Sequence, residues 1–488
     1  MPFLLLAILL GILTYWVIRR SVAKITRTPV WLLWLVMMLP VFGLTLWLLL
    51  RGVDSPPHPG LYGLFILCPL VYAWLIFRGR IPTSNAASSA QPALSPASPK
   101  TTVRPLTRDE ETTLQQCFPW SVYYLQNIEY QAQALICRGK LKAAPGVAYQ
   151  TVQQNVQTQF GDRFLLLFQE GLNGKPFFAL IPNPQTHGSG GHAAQATATT
   201  QPGLALALMV TTLLTTTLAG LFYIGGLSME QLRQTPALLW QGIAYGLALM
   251  VILGTHELGH YLMARRYHIQ ATLPYFIPVP FFLGTFGALI QLRSPVPHRR
   301  ALFDVGVTGP LAGLVVTVPI LLWGLAHSTV IPLPAEASLL NFEALDPTRS
   351  VILALLSKLA LGAQLQAGQA LRLHPVAVAG CLGLVLTALN LMPVGQLDGG
   401  HVVHAMYGQR MGALIGQISR FLVLVLALVH QEFFLWAILL FFIPVVDEPA
   451  LNDVSELDQR RDLIGLLALA LLLMIVLPAP QALTQLLF

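Results

Sequence analysis

The residues best suited to chemistry are His256-Glu257-Leu258-Gly259-His260. Histidines four apart share one face of a helix, so both imidazoles reach one metal ion. Glu257 is turned about 100° around the helix from His256, which lets it approach water at the metal without joining the ligand set. Two neutral nitrogens, one carboxylate oxygen and an open fourth position suit zinc, one Zn2+ per chain. Zinc lowers the pKa of water to about 7, so the chemistry is metal-assisted hydrolysis at neutral pH. As incidental polar groups these residues would be costly, because the surrounding segment is apolar enough to lie at hydrocarbon depth.

The third ligand has to come from elsewhere. Asn390 to Gly400 reads NLMPVGQLDGG, and Pro393 with the glycines ends an apolar segment. Irregular backbone near membrane depth is tolerated only where protein buries it or water reaches it. Asp398 is the candidate carboxylate ligand; the competing reading is an ordinary Asp-Gly turn. Asn390 is a candidate hydrogen-bond donor to a substrate carbonyl or oxyanion. A further candidate is Gly284-Thr285-Phe286-Gly287, flanked by Pro274, Pro278 and Pro280 before and Pro295 and Pro297 after. The stretch is too short to cross a bilayer and return, so it reads as a re-entrant hairpin whose edge pairs with an extended substrate. A purely structural loop is the alternative.

These residues need an apolar frame, and the composition supplies one. Only 10% of the chain is charged and 55% is hydrophobic, against about 25% charged in soluble domains. Lipid is the natural solvent for such a chain. The net charge of +7 comes from short Lys/Arg clusters beside apolar segments. No basic stripe is interleaved with stacking aromatics, so nucleic acid is not a partner. The four cysteines form no CxxC pair, and their spacing argues for neither a disulfide framework nor a cysteine metal site.

The predicted organisation has six parts. Residues 1–80 hold three candidate spans (2–18, 30–50 and 61–77). Residues 81–102 are a Ser/Ala/Pro-rich linker. Residues 103–183 form a small soluble α+β domain, with a strand within 126–141, a helix at 146–160, and strands at 163–169 and 177–181 around the turn signal Asn173-Gly174. Residues 184–201 are a second linker, in which His187 and His192 read as solvated. Residues 202–446 are the membrane core, with candidate spans at 204–227, 237–264, 303–326, 375–392, 411–429 and 433–446. Residues 447–488 are a polar loop and a last span at 463–477. The fold class is thus an all-α polytopic membrane protein with a re-entrant hairpin and an inserted soluble domain.

Topology follows from the basic residues. Segment 2–18 has no charge before it and no small-residue cleavage site after it, and Arg19, Arg20, Lys24 and Arg27 follow. This fits an anchor with an external amino terminus rather than a cleaved signal. Alternating from there puts the soluble domain, Arg265, Arg266, Arg299, Arg300, Arg460 and Arg461 on the cytoplasmic side.

In combination, the HELGH motif, Gly309-Pro310-Leu311-Ala312-Gly313, the GTFG segment at 284–287 and the later Asn390, Pro393, Asp398 and Gly399 resemble the site-2 protease family of intramembrane metalloproteases. The arrangement is similar to the plastid and cyanobacterial branch typified by the ethylene-dependent gravitropism-deficient and yellow-green proteins. The resemblance covers about 204–446 well. It implies His256, His260 and Asp398 as zinc ligands and Glu257 as general base and then general acid. Asn390 and Gly284, Thr285, Phe286 and Gly287 are implied to contact transmembrane protein substrates. It also implies a cyanobacterial-type plasma or thylakoid membrane. Two other functions compete, a divalent-metal transporter and a proteolytically silent scaffold. The first lacks the repeated halves expected of transporters; the second is opposed by the intact Glu257.

Overall fold

The computed structural model describes residues 28–51, 108–131, 134–171, 174–183, 201–279, 283–334, 342–429 and 443–488, with isolated positions at 11, 15, 67, 68, 71, 72, 74, 75, 78, 433, 436, 437, 439 and 440. Both linkers up to residue 200, Asn173, His187 and His192 lie outside the described residues, as do most of the candidate spans 2–18 and 61–77 and part of 433–446. The chain divides into two compact units, Met1–Thr102 and Val103–Phe488. In the first, α1 (Val30–Arg51) is an apolar helix.

The second unit begins with α2 (Arg108–Gln116), β1 (Tyr123–Gln131), β2 (Ala134–Leu141), α3 (Pro145–Phe160), β3 (Phe164–Glu170) and β4 (Pro176–Pro182). The strands form one antiparallel sheet in the order β1-β2-β4-β3. Strand β3 alternates buried and half-buried residues, the period-2 signature of a sheet with one covered face. Phe168 and Phe178 stack across β3 and β4 at 4.2 Å between centroids. Together with Leu114, Tyr123 and Val152 they form the core of this layer. Sequence reading places one strand within 126–141, whereas two antiparallel strands occupy 123–141. Cys117 and Cys137 are buried in the same core as free thiols.

Next come α4 (Pro202–Ala219), which continues as a π turn to Ile224, α5 (Met229–Gln234) and α6 (Leu239–Arg266). The hairpin β5 (Tyr275–Pro278) and β6 (Thr285–Leu289) leads to α7 (Arg299–Ala326). Then follow β7 (Thr329–Pro332), α8 (Val351–Leu361), β8 (Gln369–Arg372), α9 (Pro375–Leu391), α10 (Asp398–Tyr407), α11 (Gln409–Val429), α12 (Gln459–Val476) and α13 (Gln481–Leu487). The stretch 326–374 holds α8 and, on either side of it, the antiparallel pair β7 and β8. Four helices among the described residues are long and apolar enough to cross a membrane: Pro202–Ile224, Pro236–Arg266, Arg299–Ala326 and Gln409–Ala427. The chain is a mostly helical membrane protein.

Helix α9 differs from these. Its 17 residues reach about 26 Å at 1.5 Å each, short of a hydrocarbon core of about 30 Å. Ala377, Val378, Ala379 and Ala388 are fully buried; a helix apolar all round belongs at the centre of a bundle. Glycines bring α9 close to α7. A Cβ at Gly324 would lie 2.3 Å from the Ala377 backbone nitrogen, and one at Gly380 would lie 2.8 Å from the Leu321 Cα. Small residues at crossing points are what bring membrane helices into contact. Gly324→Val should therefore destabilise the core by about 1–3 kcal/mol through overpacking. The expected result is a lower thermal unfolding midpoint in detergent, with the zinc content of the folded fraction unchanged.

Candidate metal centre

The HELGH motif lies in the last third of α6, where His256, Glu257 and His260 are all buried. Asp398 is the first residue of α10, just beyond the turn that ends α9. The turn is tight because its glycines leave no room for side chains. Gly395 has φ +52° and passes against the Pro444 carbonyl, and a Cβ at Gly399 would lie 2.0 Å from the Leu391 carbonyl oxygen. This close passage turns the chain back so that Asp398 faces α6.

The three candidate ligand atoms converge. His256 Nε2 and His260 Nε2 are 3.1 Å apart. Asp398 Oδ2 is 3.4 Å from the first and 3.2 Å from the second. Ligands about 2.0–2.1 Å from a tetrahedral zinc sit about 3.3 Å from one another, so the spacing and the N, N, O donor chemistry both fit Zn2+. His260 Nδ1 lies 2.8 Å from the Val305 carbonyl oxygen. That carbonyl accepts the Nδ1 proton and leaves Nε2 as the lone-pair nitrogen, the usual orienting contact behind a metal-ligating histidine. The amide group of Asn390 lies 3.1 Å from His256 Nε2, which puts it at the edge of the triad.

Helix α7 is the wall behind both histidines. A Cβ on Gly309 would fall 2.1 Å from His260 Nε2, and one on Gly313 would fall 3.2 Å from the His256 Cβ. The two glycines of the GPLAG segment, one turn apart, thus each clear space for one imidazole. Gly259, inside the motif, faces Gly309 in return.

The hairpin meets the centre at Glu257. The backbone N–H of Ile290, the residue after β6, faces the Glu257 carboxylate. Its four singled-out residues have different surroundings. Gly284 has φ +83°, its carbonyl accepts from Thr215 Oγ1 at 2.7 Å, and a Cβ would lie 2.4 Å from the Thr216 Cα. It is a packing point against α4. Thr285 is buried, donates to the Ile277 carbonyl at 2.9 Å and accepts from the Gly287 N–H at 3.0 Å, which shapes the strand. Phe286 is 68% exposed. Gly287 has φ +109° and open space where a Cβ would sit. Only Phe286 and Gly287 present themselves to an incoming chain.

Sequence reading missed a second polar cluster. His404 is buried between Asp447 and Asp453, and His401 also meets Asp447. Asp304 forms a fork with Arg461 and accepts from the Tyr267 hydroxyl at 2.5 Å. The signal for the first was His401 and His404 three apart, just after the Asp398 motif. Their carboxylate partners stand more than forty residues on in a polar loop, at no readable spacing. A cavity of about 990 Å3 also lies away from the triad, between α3 and the start of α7. The donor geometry, not cavity size, assigns the chemistry to the triad.

Comparison with known proteins agrees with this geometry. Residues 244–429 match the model of peptidase family M50, and residues 112–187 match the EGY3 middle domain. The probable zinc metalloprotease EGY2, chloroplastic, of Oryza sativa subsp. indica is 28% identical over 75% of this chain and 65% of its own length. The probable zinc metalloprotease EGY1, chloroplastic, of Arabidopsis thaliana is 34% identical over 50% of this chain and 44% of its own length. The chain thus spans slightly under two thirds of the EGY2 protein. No solved structure matches.

The α7 wall makes a prediction that alanine's helix propensity alone would not. Gly309→Ala favours the helix by about 1 kcal/mol yet drives its methyl into the His260 ring. Zinc content of the purified variant should fall well below one per chain while its helical circular dichroism is retained.

Proposed function

We propose, from the match of residues 244–429 to peptidase family M50, that the chain is an intramembrane zinc metalloendopeptidase that cuts membrane-protein substrates within or beside the bilayer. The observation that carries the reading is the convergence of His256 Nε2, His260 Nε2 and Asp398 Oδ2 beside a buried Glu257. His256, His260 and Asp398 would hold the ion. Bound zinc supplies Lewis acidity, polarising a carbonyl and making water more acidic.

The remaining work falls to the chain's own groups. Glu257 accepts a proton as water attacks the scissile carbonyl carbon. It then delivers that proton to the departing amine nitrogen as the C–N bond breaks. The Ile290 N–H faces the carboxylate from the end of β6. The Asn390 amide, beside His256, is positioned to donate to the carbonyl oxygen as negative charge develops there. A substrate helix must unwind before its peptide bond is reachable, and an unwound backbone in lipid needs new hydrogen-bond partners. The β5–β6 hairpin, read as re-entrant, offers a strand edge that runs into the residue facing Glu257.

The domain division follows the same reading. The core is 202–446, and the sheet layer at 103–183 is an inserted domain on the cytoplasmic side. Its support is that the arginine-rich start of α7 and the sheet meet through a common segment around Asn452, consistent with the positive-inside rule. The membrane is read as a thylakoid or cyanobacterial-type plasma membrane; the relatives' names say chloroplastic, which bears on the plastid alone.

The test is cleavage of a panel of membrane-spanning peptides by the full chain in detergent, with and without a zinc chelator. Chelation should abolish cleavage and restored Zn2+ should return it. Glu257→Gln should lose turnover by at least a hundredfold, the scale of general acid–base catalysis, while zinc stays near one per chain. Full activity in that variant would overturn the mechanism. Asp398→Ala should lose both zinc and activity; normal zinc content there would assign the third ligand to another acid. For the hairpin, Gly287→Val should slow cleavage while folding and zinc content hold. Gly284→Val should lose stability and activity together, because its side chain meets α4.

A further inference from the structure

We propose that segment 447–453 is a latch coupling the docking of the sheet domain to the position of Asp398, with His404 as its positioning residue. The proposal rests on the metalloprotease reading only for the identity of the ion at Asp398.

The latch begins on α10. That helix starts at Asp398, and His404 lies six residues further on, about 9 Å along a rigid element. The His404 side chain is 1% exposed. Its Nδ1 is 2.8 Å from Asp447 Oδ2, and its Nε2 is 3.0 and 3.1 Å from the two oxygens of Asp453. An ionised carboxylate only accepts, so an imidazole with one on each side donates from both nitrogens and carries a positive charge. Burial alone would lower the His404 pKa, but the hydrogen bonds to and attraction from Asp447 and Asp453 outweigh it and push it up to about 9. Asp447 is itself fully engaged. Its Oδ2 also meets His401 Nδ1 at 2.8 Å, and its Oδ1 accepts from the Glu448 N–H at 2.7 Å.

The other end of the latch is backbone. Phe168 of β3 donates to the Leu451 carbonyl at 2.7 Å, and Asp453 donates to the Phe168 carbonyl at 2.9 Å. On its far side the segment pairs with the lead into α7. Leu451 donates to the Val296 carbonyl at 2.9 Å and Asn452 to the Pro297 carbonyl at 3.0 Å. Residues 451–453 therefore bridge the sheet domain and the start of α7, through isolated β-bridges at Asn452 to Phe168 and to His298. Asp453 holds the sheet domain with its backbone and His404 with its side chain. Helix α7 in turn supplies the Val305 carbonyl to His260. Leaving His404 or either aspartate buried without its partner is strongly unfavourable, so the latch opens as a unit rather than by degrees. Whatever undocks the sheet domain then disturbs both Asp398 and the α7 wall.

Coupling of this kind is reciprocal, and that gives a test without peptide cleavage. Hydrogen exchange is followed in the full-length Glu257→Gln chain in detergent, with Zn2+ bound and after chelation. The peptides covering 451–453 and Phe168 should exchange about fivefold faster or more once zinc is removed. In the chain that also carries His404→Gln, that difference should vanish and chelators should strip zinc at least fivefold faster. Asp453→Asn, which keeps the backbone bridge, should act in the same direction, and the two substitutions together should do no more than either alone. Exchange at 451–453 and Phe168 that ignores zinc, or that responds equally with His404→Gln, overturns the proposal. If His404→Gln fails to fold, Asp453→Asn decides alone by the same two readouts. An inactive wild-type chain that still shows the zinc-dependent exchange would sink the protease reading and leave the latch standing.

Discussion

Two imidazoles and a carboxylate, from His256, His260 and Glu257, are buried beside the half-buried Asp398 among helices that otherwise present aliphatic surface. Polar groups at such depth are costly unless they are paired or bind an ion. The cost is met by geometry, since each group has a specific neighbour. His260 has the Val305 carbonyl, Glu257 has the Ile290 N–H, and Asp398 faces both histidines. Those neighbours belong to α7, to the residue after β6 and to the turn after α9, so three separate elements must press against one face of α6. The glycines of α7 and of the 395–400 turn are what allow them to come that close.

The parts of this arrangement legible in the sequence are those where one local rule decides. The i, i+4 histidines fix a shared face whatever surrounds the helix. Long apolar stretches announce α4, α6, α7 and α11, and alternation announces β3. Asp398 was legible only by its chemistry, because a sequence does not say that a turn after one helix folds back onto another. The GPLAG segment could be matched as a motif, but its physical use appears only when a Cβ is placed beside each histidine. Helix α8 hid in a stretch too short to span a membrane, bounded by loops. The His404 cluster was illegible because its partners are distant in sequence and each residue alone looks like ordinary loop polarity.

The hairpin shows where motif and mechanism part company. Four consecutive residues matched one pattern, yet they do three different things. Gly284 packs on α4, Thr285 braces the turn, and Phe286 and Gly287 face outward. A glycine with positive φ and empty space around it leaves backbone open to another chain, whereas one pressed on a helix is a joint. The joint fixes the strand relative to α4, and the strand then delivers Ile290 to Glu257. Under the proposed reading, substrate presentation and base positioning would be two ends of one short element.

Two helices of similar reach, α6 up to His256 and α9, lead to the candidate metal centre. His256 lies 17 residues into α6 from Leu239, about 26 Å along the axis. Helix α9 starts from the same face as α6, opposite the arginines, and its 17 residues also reach about 26 Å before the turn that carries Asp398. From the arginine-rich face, His260 is six residues from Arg266, about 9 Å. Helix α10, with 10 residues, covers about 15 Å on its way back toward that face, where Ala405 meets Arg299. The triad thus sits nearer the arginine-bearing end of α6, about 9 Å against about 26 Å along the helix axis. A short α9 is a consequence, since a helix that must place its terminal turn at the metal cannot also cross the membrane.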